Sequence, residues 1–457
     1  MPSQSDRSFR GEDVGTVHPK VTSPFLVACV ILFSYELRMD ATFTRPKLRW
    51  PLDIRIHNLG GQDALVIQCP IGISAAPLAL MPQFAPVIVQ LDGVQTSDEI
   101  VSKFAPQGLT PEILRELITR LDDHLFMANA RYFAAEKLAK DAFTTAPVRP
   151  PALAGGAYPA SKEELAGMVR GYLKEFEAPE TTRDVACLIA PHIDYRRGGA
   201  CYGAIYPRLK ESSADTYILI GTAHQYSKRI FHLCAKDFQS PLGTHPCDQT
   251  FVTELANRFG VERAFADQYL HRREHSLELQ LPFLSAVHPD ATVVPILVGS
   301  YHQMLEAMRY PQEWEEYETF AGGLTEIIKE RTKRGEKVSF LAGVDMAHIG
   351  RSFGDEGTLS PERMREIGYR DQQYLRAIEE CNHKALFDHI AEDQDARRVC
   401  GFPTMYLVLD VLNRLGTTTE VDVVAYDQAV DYPSDCAVTF AGVAMYRKNT
   451  PENAIIT

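Results

Sequence analysis

Residues 338–348 read VSFLAGVDMAH, an apolar run that ends in Asp345 and, three residues later, in His348. Short, continuous apolar runs of this kind are typical of strands that are buried on both faces of a parallel sheet. Similar runs occupy residues 185–190, 217–220 and 292–298, and later runs at 421–425 and 437–446 add two further strand candidates. Because helical stretches separate the first runs, the pattern predicts an α/β fold with a mainly parallel sheet and helices on both faces.

Polar side chains follow three of these runs at the carboxyl end. His192 follows the first run, His224 follows the second, and Asp345 with His348 follows the run quoted above. In open α/β sheets, ligands bind in the crevice beyond the carboxyl ends of the strands. A single histidine has a structural role more often than a ligating one, but several at one sheet edge favour a site. Imidazoles with a carboxylate or thiolate are the usual ligands for zinc, iron or copper.

Cys400 precedes an apolar stretch over residues 405–412 that is predicted to be a helix. The unpaired N–H groups at a helix N-terminus stabilise a thiolate, which would make this cysteine a metal ligand or a nucleophile. The pattern fits equally well with a buried cysteine that packs as a small apolar side chain. The residues alone leave both interpretations open.

Residues 271–278, HRREHSLE, form a second polar cluster. Glu274 and His275 are a candidate acid–base pair near the sheet edge. The alternative is a solvated helix start in which Glu278 pairs locally. The sequence has no HExxH, GxSxG, GxGxxG or P-loop pattern, so it does not support a zincin, an α/β-hydrolase, a Rossmann dinucleotide site or a P-loop nucleotide site.

Composition excludes several classes of protein. The 457 residues include 60 acidic and 47 basic side chains, 45% hydrophobic residues and 23% charged residues, as expected of a globular chain. The net charge of −13 argues against a nucleic-acid partner, which would require a basic surface. The longest apolar run, residues 24–33, is too short to span a membrane. Nine scattered cysteines without a CxxC pair favour a reduced, cytoplasmic setting.

The length of the chain favours at least two domains. Residues 1–38 show no sustained period, and we expect a disordered tail or an over-extended start with Met39 as the true first residue. Residues 39–128 are predicted to form a small domain, and residues 129–150 a helix followed by a proline-containing linker. Residues 151–449 are the predicted main domain, and 450–457 a short tail.

The small domain has the pattern of a hairpin followed by compact helices. Strand candidates at 53–58 and 64–68 flank the turn Gly60-Gly61, and Thr96 with Glu99 forms a capping box. This order indicates a winged helix and resembles the PqqD-like winged-helix domains that grip peptides or partner proteins. Because acids outnumber bases from Thr96 onward, we favour a docking or packing module over a DNA-binding one.

Six short motifs occur in one order across residues 150–447. They are PPALAGGAY at 150–158, APHIDY at 190–195, GTAH at 221–224, EHSLE at 274–278, VDMAHIG at 344–350 and CG at 400–401. In this order they resemble the Memo family, in particular its bacterial AmmeMemoRadiSam system protein B branch. The sequence departs from the family pattern at Asp194, where glycine is common. We expect a carboxylate two residues from a ligand to alter the charge of the metal or to orient a bound water.

The resemblance implies the fold of the class III extradiol dioxygenases, which use non-haem iron. It also implies a metal position formed by His192, His224 and Cys400. Asp345 lines the same site, and His275 and His348 are the candidate catalytic or supporting groups. A thiolate is a softer ligand than a carboxylate, so copper is expected as well as iron, and zinc is possible.

Two functions follow from the resemblance. The first is a metal-dependent redox or dioxygenase-like protein that acts with a radical SAM protein and an AMMECR1-domain protein, with His275 as general acid and base. The second is a non-catalytic component that binds a peptide or a protein and retains a vestigial metal site.

Overall fold

The structure, a computed structural model, describes residues 42–74, 76–176, 183–210 and 212–448. The predictions for residues 1–38 and 450–457 therefore lie outside the described residues. Contacts between Cα atoms divide the chain into two units. The smaller unit contains residues up to 69 and 74–134, and the larger unit contains 70–73 and the chain from 135 onward. In the described ranges, no helix combines the length and the apolar character needed to cross a bilayer.

The smaller unit is an antiparallel sheet followed by helices. Its strands are β1 (Asp53–Leu59), β2 (Gln62–Gln68) and β3 (Leu78–Leu80), in that order across the sheet, and its helices are α1 (Ala85–Ile88), α2 (Ser97–Phe104) and α3 (Pro111–Asp123). The predicted hairpin is confirmed, because Gly60 and Gly61 take φ values of 63° and 89° between β1 and β2. The predicted capping box is confirmed too, since Thr96 and Glu99 bond to each other's backbone N–H. The assignment to the winged-helix class stays a prediction.

The larger unit contains the remaining elements. After α4 (Ala130–Thr145), within which the boundary between the units falls, its helices are α5 (Lys162–Lys174), α6 (Tyr195–Ile205), α7 (Gln249–Phe259), α8 (Val261–Phe265), α9 (His275–Glu278), α10 (Leu281–Val287), α11 (His302–Glu306), α12 (Glu315–Lys333), α13 (Pro361–Glu379), α14 (His383–Ala391) and α15 (Phe402–Arg414). Its strands are β4 (Val148–Arg149), β5 (Val185–Ala190), β6 (Thr216–Thr222), β7 (Phe231–Leu233), β8 (Asp237–Ser240), β9 (Gly243–His245), β10 (Thr292–Val298), β11 (Val338–Gly343), β12 (His348–Ile349), β13 (Thr419–Asp431) and β14 (Cys436–Arg447).

The main sheet has the strand order β12-β14-β5-β11-β6-β10-β7, with β13 paired to β14. Its four central strands are parallel and are the four apolar runs of the sequence. The outer pairs β14–β5 and β10–β7 are antiparallel, so the sheet is mixed at its margins. The predicted α/β fold is confirmed, and the two late runs form β13 and β14.

The core of the larger unit lies on both faces of the main sheet. Along β5, Leu188 packs into one buried cluster and Ile189 into the other. This alternation explains why the strand is apolar at every position rather than at every second one. Burial of one such side chain stabilises the folded state by about 1.5–3 kcal/mol. Because every position of the strand is buried in this way, the sheet is a stable support for the loops that leave its edge.

Candidate metal centre

The register of the central strands brings three predicted site residues to one edge. Gly343 at the end of β11 pairs with Ala190 on one side and with Gly221 on the other. Because these strands are parallel, the chain leaves each of them at the same level, and the residues that follow share that level. They are His192 after β5, His224 after β6 and Asp345 after β11.

Three imidazoles meet at this edge. His192, His224 and His275 each place one ligand-capable atom within 4.8 Å of the others. The ring centroids of His224 and His275 are 4.3 Å apart, and that of His192 is 4.9 Å and 5.0 Å from them. The first two were predicted as ligands, and the structure adds His275, which was predicted as an acid–base group.

A hydrogen bond at Nδ1 orients each of these rings. The Gly343 carbonyl lies 3.0 Å from Nδ1 of His192. Oε1 of Glu274 lies 2.9 Å from Nδ1 of His224 and 3.1 Å from Nδ1 of His275. This arrangement leaves Nε2 as the atom available to a ligand, as in metal sites where a carboxylate or carbonyl fixes the ligating histidine.

Glu274 is a buried carboxylate at the N-terminus of α9, with 5% of its surface exposed. It also accepts hydrogen bonds from the backbone N–H groups of His224, at 2.9 Å, and Ser276, at 3.0 Å. Burial acts to raise the pKa of Glu274, but His224 and His275 outweigh burial and hold that pKa well below its usual range. Burial acts to lower the pKa of His275, but the hydrogen bond to Glu274 and the negative charges of Glu274, Asp345 and Glu278 together outweigh it, so the net shift is upward.

Cys400 lies beside His192 but, among the described residues, it is not part of the group of mutually close donor atoms that the three histidines form. Its Sγ is 3.3 Å from Nε2 of His192 and 3.7 Å from the carbonyl oxygen of Asp345. Burial, reinforced by Asp345, raises the pKa of the Cys400 thiol well above its usual range. The sequence left a stabilised thiolate and a buried cysteine equally open, and burial at this position favours the neutral thiol. Helix α15 begins at Phe402, two residues after Cys400.

The Asp345 carboxylate fixes the backbone segment that contains His192. Its Oδ1 accepts hydrogen bonds from the backbone N–H groups of His192, at 2.8 Å, and Ile193, at 3.2 Å. Its Oδ2 is 3.7 Å from Nε2 of His192. The carboxyl is 2% exposed, and burial raises its pKa to about 7.

His348 lies outside the group of three histidines. Its Nδ1 is 3.1 Å from the Met346 carbonyl and 3.2 Å from the Arg398 carbonyl, and its ring packs against Phe353 at 5.2 Å. Burial lowers the pKa of His348 to about 4, and His224 adds to that shift. The structure thus places this predicted site residue near the centre but holds it by backbone contacts.

The segment 271–278 is not a solvated helix start, and that alternative is wrong. Glu278 is fully buried and forms an ion pair with Arg149, which is 129 residues away and also fully buried. Glu278 accepts hydrogen bonds from Leu153 N–H at 2.8 Å and Tyr158 Oη at 2.5 Å. Since the Arg149 guanidinium also donates to the Glu274 carbonyl at 3.1 Å, the network secures the backbone that bears Glu274.

Asp194 serves the fold rather than the centre. It caps α6 by accepting hydrogen bonds from the backbone N–H groups of Arg196 and Arg197, and it pairs with the Arg197 side chain at 2.6 Å. The expectation that this carboxylate acts on the metal is not supported by these contacts, because both of its oxygens are engaged by the helix it caps.

Two cavities reach the centre. One of about 180 Å³ opens on His224 and His275. The other, of about 250 Å³, opens on Cys400 and Thr222 and is also lined by Ser300 and Asp395. A small molecule could approach from either cavity, so the arrangement is an accessible donor cluster rather than a closed structural site.

Comparison with known proteins agrees with the motifs. A family model described as Memo-like protein matches residues 149–444, which is most of the chain. The chain belongs to the Memo family. A MEMO1 family protein of Aquifex aeolicus is 25% identical over 405 residues, covering 88% of this chain and all of that protein. A MEMO1 family protein of Archaeoglobus fulgidus is 27% identical over 292 residues, covering 62% of this chain and 97% of its own length.

The family model and the Aquifex protein match different lengths of this chain. The larger unit from residue 135 to the end has 323 positions, so a match of 405 residues extends into the smaller unit. The resemblance to the Memo family and the expected class III extradiol dioxygenase-like fold are confirmed for the larger unit. The role of the smaller unit stays a prediction.

Proposed function

We propose that this Memo protein is a metal-binding redox protein of the AmmeMemoRadiSam system protein B type, with dioxygenase-like chemistry at a non-haem iron or copper centre. The observation that carries the proposal is the group of three imidazoles whose Nδ1 atoms are all held by hydrogen bonds, with a cysteine sulfur alongside. Accessible histidine clusters with such supports are typical of transition-metal sites.

The proposed ligands are His192, His224 and Cys400, and the distance between the first and the last of them supports that pair. Donor atoms about 2.0 Å and 2.3 Å from one tetrahedral metal lie about 3.5 Å from each other. The observed 3.3 Å between Nε2 of His192 and Sγ of Cys400 fits that spacing. Binding a metal would replace the thiol proton, which removes the cost that burial imposes on the free thiolate.

The remaining residues have supporting parts in this proposal. When bound, a redox-active metal supplies electron transfer and open positions for small molecules. Glu274 keeps His224 and His275 in one tautomer and orientation. His275 carries protons to and from substrate as general acid and base, since Glu274 stabilises its charged form. Asp345 fixes the backbone of His192, and His348 supports the adjacent loop.

The partners proposed for it are a radical SAM protein and an AMMECR1-domain protein in the cytoplasm, with a PqqD-like smaller unit that grips a peptide. The order of the motifs in the bacterial branch supports this part of the proposal. The second candidate is a non-catalytic peptide- or protein-binding component with a vestigial metal site. One observation favours it: among the described residues, the group of mutually close donor atoms contains the three histidines and not Cys400.

Oxygen consumption separates the two candidates. The full-length protein, loaded with iron, copper or zinc in turn, is supplied with oxygen and either ascorbate or catechol. The catalytic candidate predicts uptake with iron or copper and a loss of about 100-fold or more in His275→Gln, with metal content unchanged. His302→Gln, at an exposed histidine, is the matched control. Absence of uptake by fully loaded protein with both co-substrates contradicts catalysis and supports the binding component.

A further inference from the structure

The cavity of about 180 Å³ that opens on His224 and His275 has a cationic wall. We propose that it binds a small substrate that carries an oxyanion, a carboxylate or a phosphate, and that Arg273 receives that group. The inference deepens the proposed function and rests on it in one respect, namely that this cavity is the substrate side of the centre.

The charged side chains around the cavity differ in whether they have a partner of opposite charge. The basic and acidic side chains of its lining are His224, Arg273, Glu274 and His275, and Tyr269 adds a phenol. The Glu274 carboxylate already accepts hydrogen bonds from both histidines and from two backbone N–H groups. Within the described part of the chain, no carboxylate oxygen lies within 4.0 Å of the Arg273 side chain. Arg273 is therefore an exposed cation without an anionic partner, directly beside the histidine cluster.

The neighbouring arginine is placed differently. The Arg272 guanidinium lies over the Tyr269 ring, 5.8 Å from its centroid, and Arg272 is not part of the cavity wall. Both arginine side chains pass Gly72, but of the two only Arg273 lines the cavity. This difference makes Arg272 an internal control for the general effect of positive charge on anion binding.

The segment 70–73, which belongs to the larger unit, fixes Arg273 at the wall. Its Ile71 and Ile73 pack against a buried cluster of that unit, and Gly72 between them has φ of 73°. A Cβ atom at Gly72 would lie 2.6 Å from Cδ of Arg273 and 2.6 Å from a terminal nitrogen of Arg272, so glycine lets both side chains run this close to the segment. The contact restricts the freedom of the Arg273 side chain, which lowers the entropy lost when it binds a ligand.

The chemistry of the wall selects the ligand class. A guanidinium presents a planar pair of donors that matches the two oxygens of a carboxylate or a phosphate. A cavity of about 180 Å³ is smaller than the roughly 300–1,000 Å³ of pockets for drug-sized ligands. The ligand is therefore a small molecule, or the charged end of a larger one.

Calorimetric titration of the full-length chain tests the inference. Benzoate is compared with benzamide, which has the same shape without the charge, and inorganic phosphate is titrated separately. The variants are Arg273→Gln, Arg273→Lys and Arg272→Gln. Each titration is done with metal-loaded and with metal-free protein, because an anion can also bind to the metal itself.

We expect benzoate or phosphate to bind the native protein more tightly than benzamide. The affinity should fall about 10- to 100-fold in Arg273→Gln, as for loss of a charged hydrogen bond, and Arg273→Lys should restore part of it. Arg272→Gln should bind as the native protein does. The relative affinities for benzoate and phosphate identify the kind of oxyanion. Equal binding of benzoate and benzamide, equal affinity in Arg273→Gln, or no anion binding at millimolar concentrations would each overturn the inference.

The titrations also distinguish failure of this inference from failure of the proposed function. Metal content is measured on the same preparations. Anion binding that depends on Arg273 in protein unable to hold a metal would support the cavity and refute the metal centre. If the protein holds one metal ion per chain but Arg273→Gln leaves anion binding unchanged, the metal centre is supported and the role of Arg273 in the cavity is refuted.

Discussion

Glu274 is the residue on which most of the centre converges. Its two oxygens hold two imidazoles and two backbone N–H groups, and it is almost completely buried. A buried carboxylate without partners would be strongly destabilising, whereas here its partners are the groups that the centre requires. One side chain therefore couples the loop after β6 to the start of α9.

Replacement of this carboxylate tests its supporting role. Glu274→Gln preserves the shape but removes the charge and can accept at only one side-chain atom. We expect metal affinity to fall about 10- to 100-fold, because loss of an orienting partner commonly has that effect. Competition with a chelator measures it. Glu330→Gln, at a surface acid paired with Arg258, is the control and should leave affinity unchanged. An unaltered affinity in Glu274→Gln would show that the imidazoles are held by other means.

His232 gives a pH dependence of stability that is separate from the centre. The histidine is fully buried, and burial lowers its pKa to about 4 from the ordinary 6.5. The unfolded chain therefore binds this proton more readily, and stability is lost as pH falls from about 6.5 towards 4. In His232→Phe we expect about 2 kcal/mol less loss between pH 7.5 and pH 5. Urea unfolding at both pH values measures it, and equal losses in both proteins would refute the shift.

At the scale of elements, the approach of α9 to β11 sets the geometry of the centre. Gly343 ends β11, and a Cβ there would lie 2.1 Å from the Ser276 carbonyl oxygen. The absence of a side chain lets α9 lie directly on the strand end, and so brings His275 next to His192. Because the Ser276 oxygen belongs to the backbone, it cannot rotate away from an added Cβ atom as a side chain could.

Two alanine substitutions separate this effect from helix and strand propensity. Gly343→Ala should destabilise the protein by about 1–3 kcal/mol and reduce metal uptake, because α9 must move away from the strand. Gly322→Ala in α12 meets no atom within 4 Å and should stabilise by about 1 kcal/mol with normal metal uptake. Thermal unfolding and metal analysis give both quantities. Normal metal uptake in Gly343→Ala would contradict the argument.

The elements also show what could be predicted from the sequence. The apolar runs identified the central strands, and parallel pairing then placed His192, His224 and Asp345 at one edge, because both follow from local patterns and general rules. The partner of Glu278 could not be predicted in this way. Arg149 is 129 residues distant, and nothing in the spacing of either residue signals the pair. The resemblance had marked residues 150–158 and 274–278 as motifs, without including Arg149 and without showing that the two segments touch.

Cys400 illustrates a second limit of prediction from the sequence, which left a thiolate and a buried thiol equally open. The sequence showed a cysteine before a helix, which on its own favours a thiolate. The energy that decides its ionisation is burial by chain segments far apart in sequence, and it acts in the opposite direction. The cavity wall at Arg273 was missed for the same reason, since its lack of a partner depends on where distant carboxylates lie.

At the scale of the whole molecule, the family match can be compared with the division of the chain into two units. The Memo model covers the larger unit, and the match to the Aquifex protein extends into the smaller one. Every side chain assigned to the centre lies in the larger unit, so that unit carries the proposed chemistry. The net charge of −13 makes the cationic wall at Arg273 a local exception on an acidic protein.

Metal stoichiometry tests the central claim most directly. Full-length protein is purified without oxygen, loaded separately with iron, copper and zinc, and analysed by mass spectrometry. The variants beside it are His192→Ala, Cys400→Ser and the control Cys247→Ser, at a buried cysteine whose sulfur contacts the Cys234 carbonyl. The account predicts one metal ion per chain in the native protein and the control, and its loss in the other two variants. A native protein that takes up none of the three metals would contradict it.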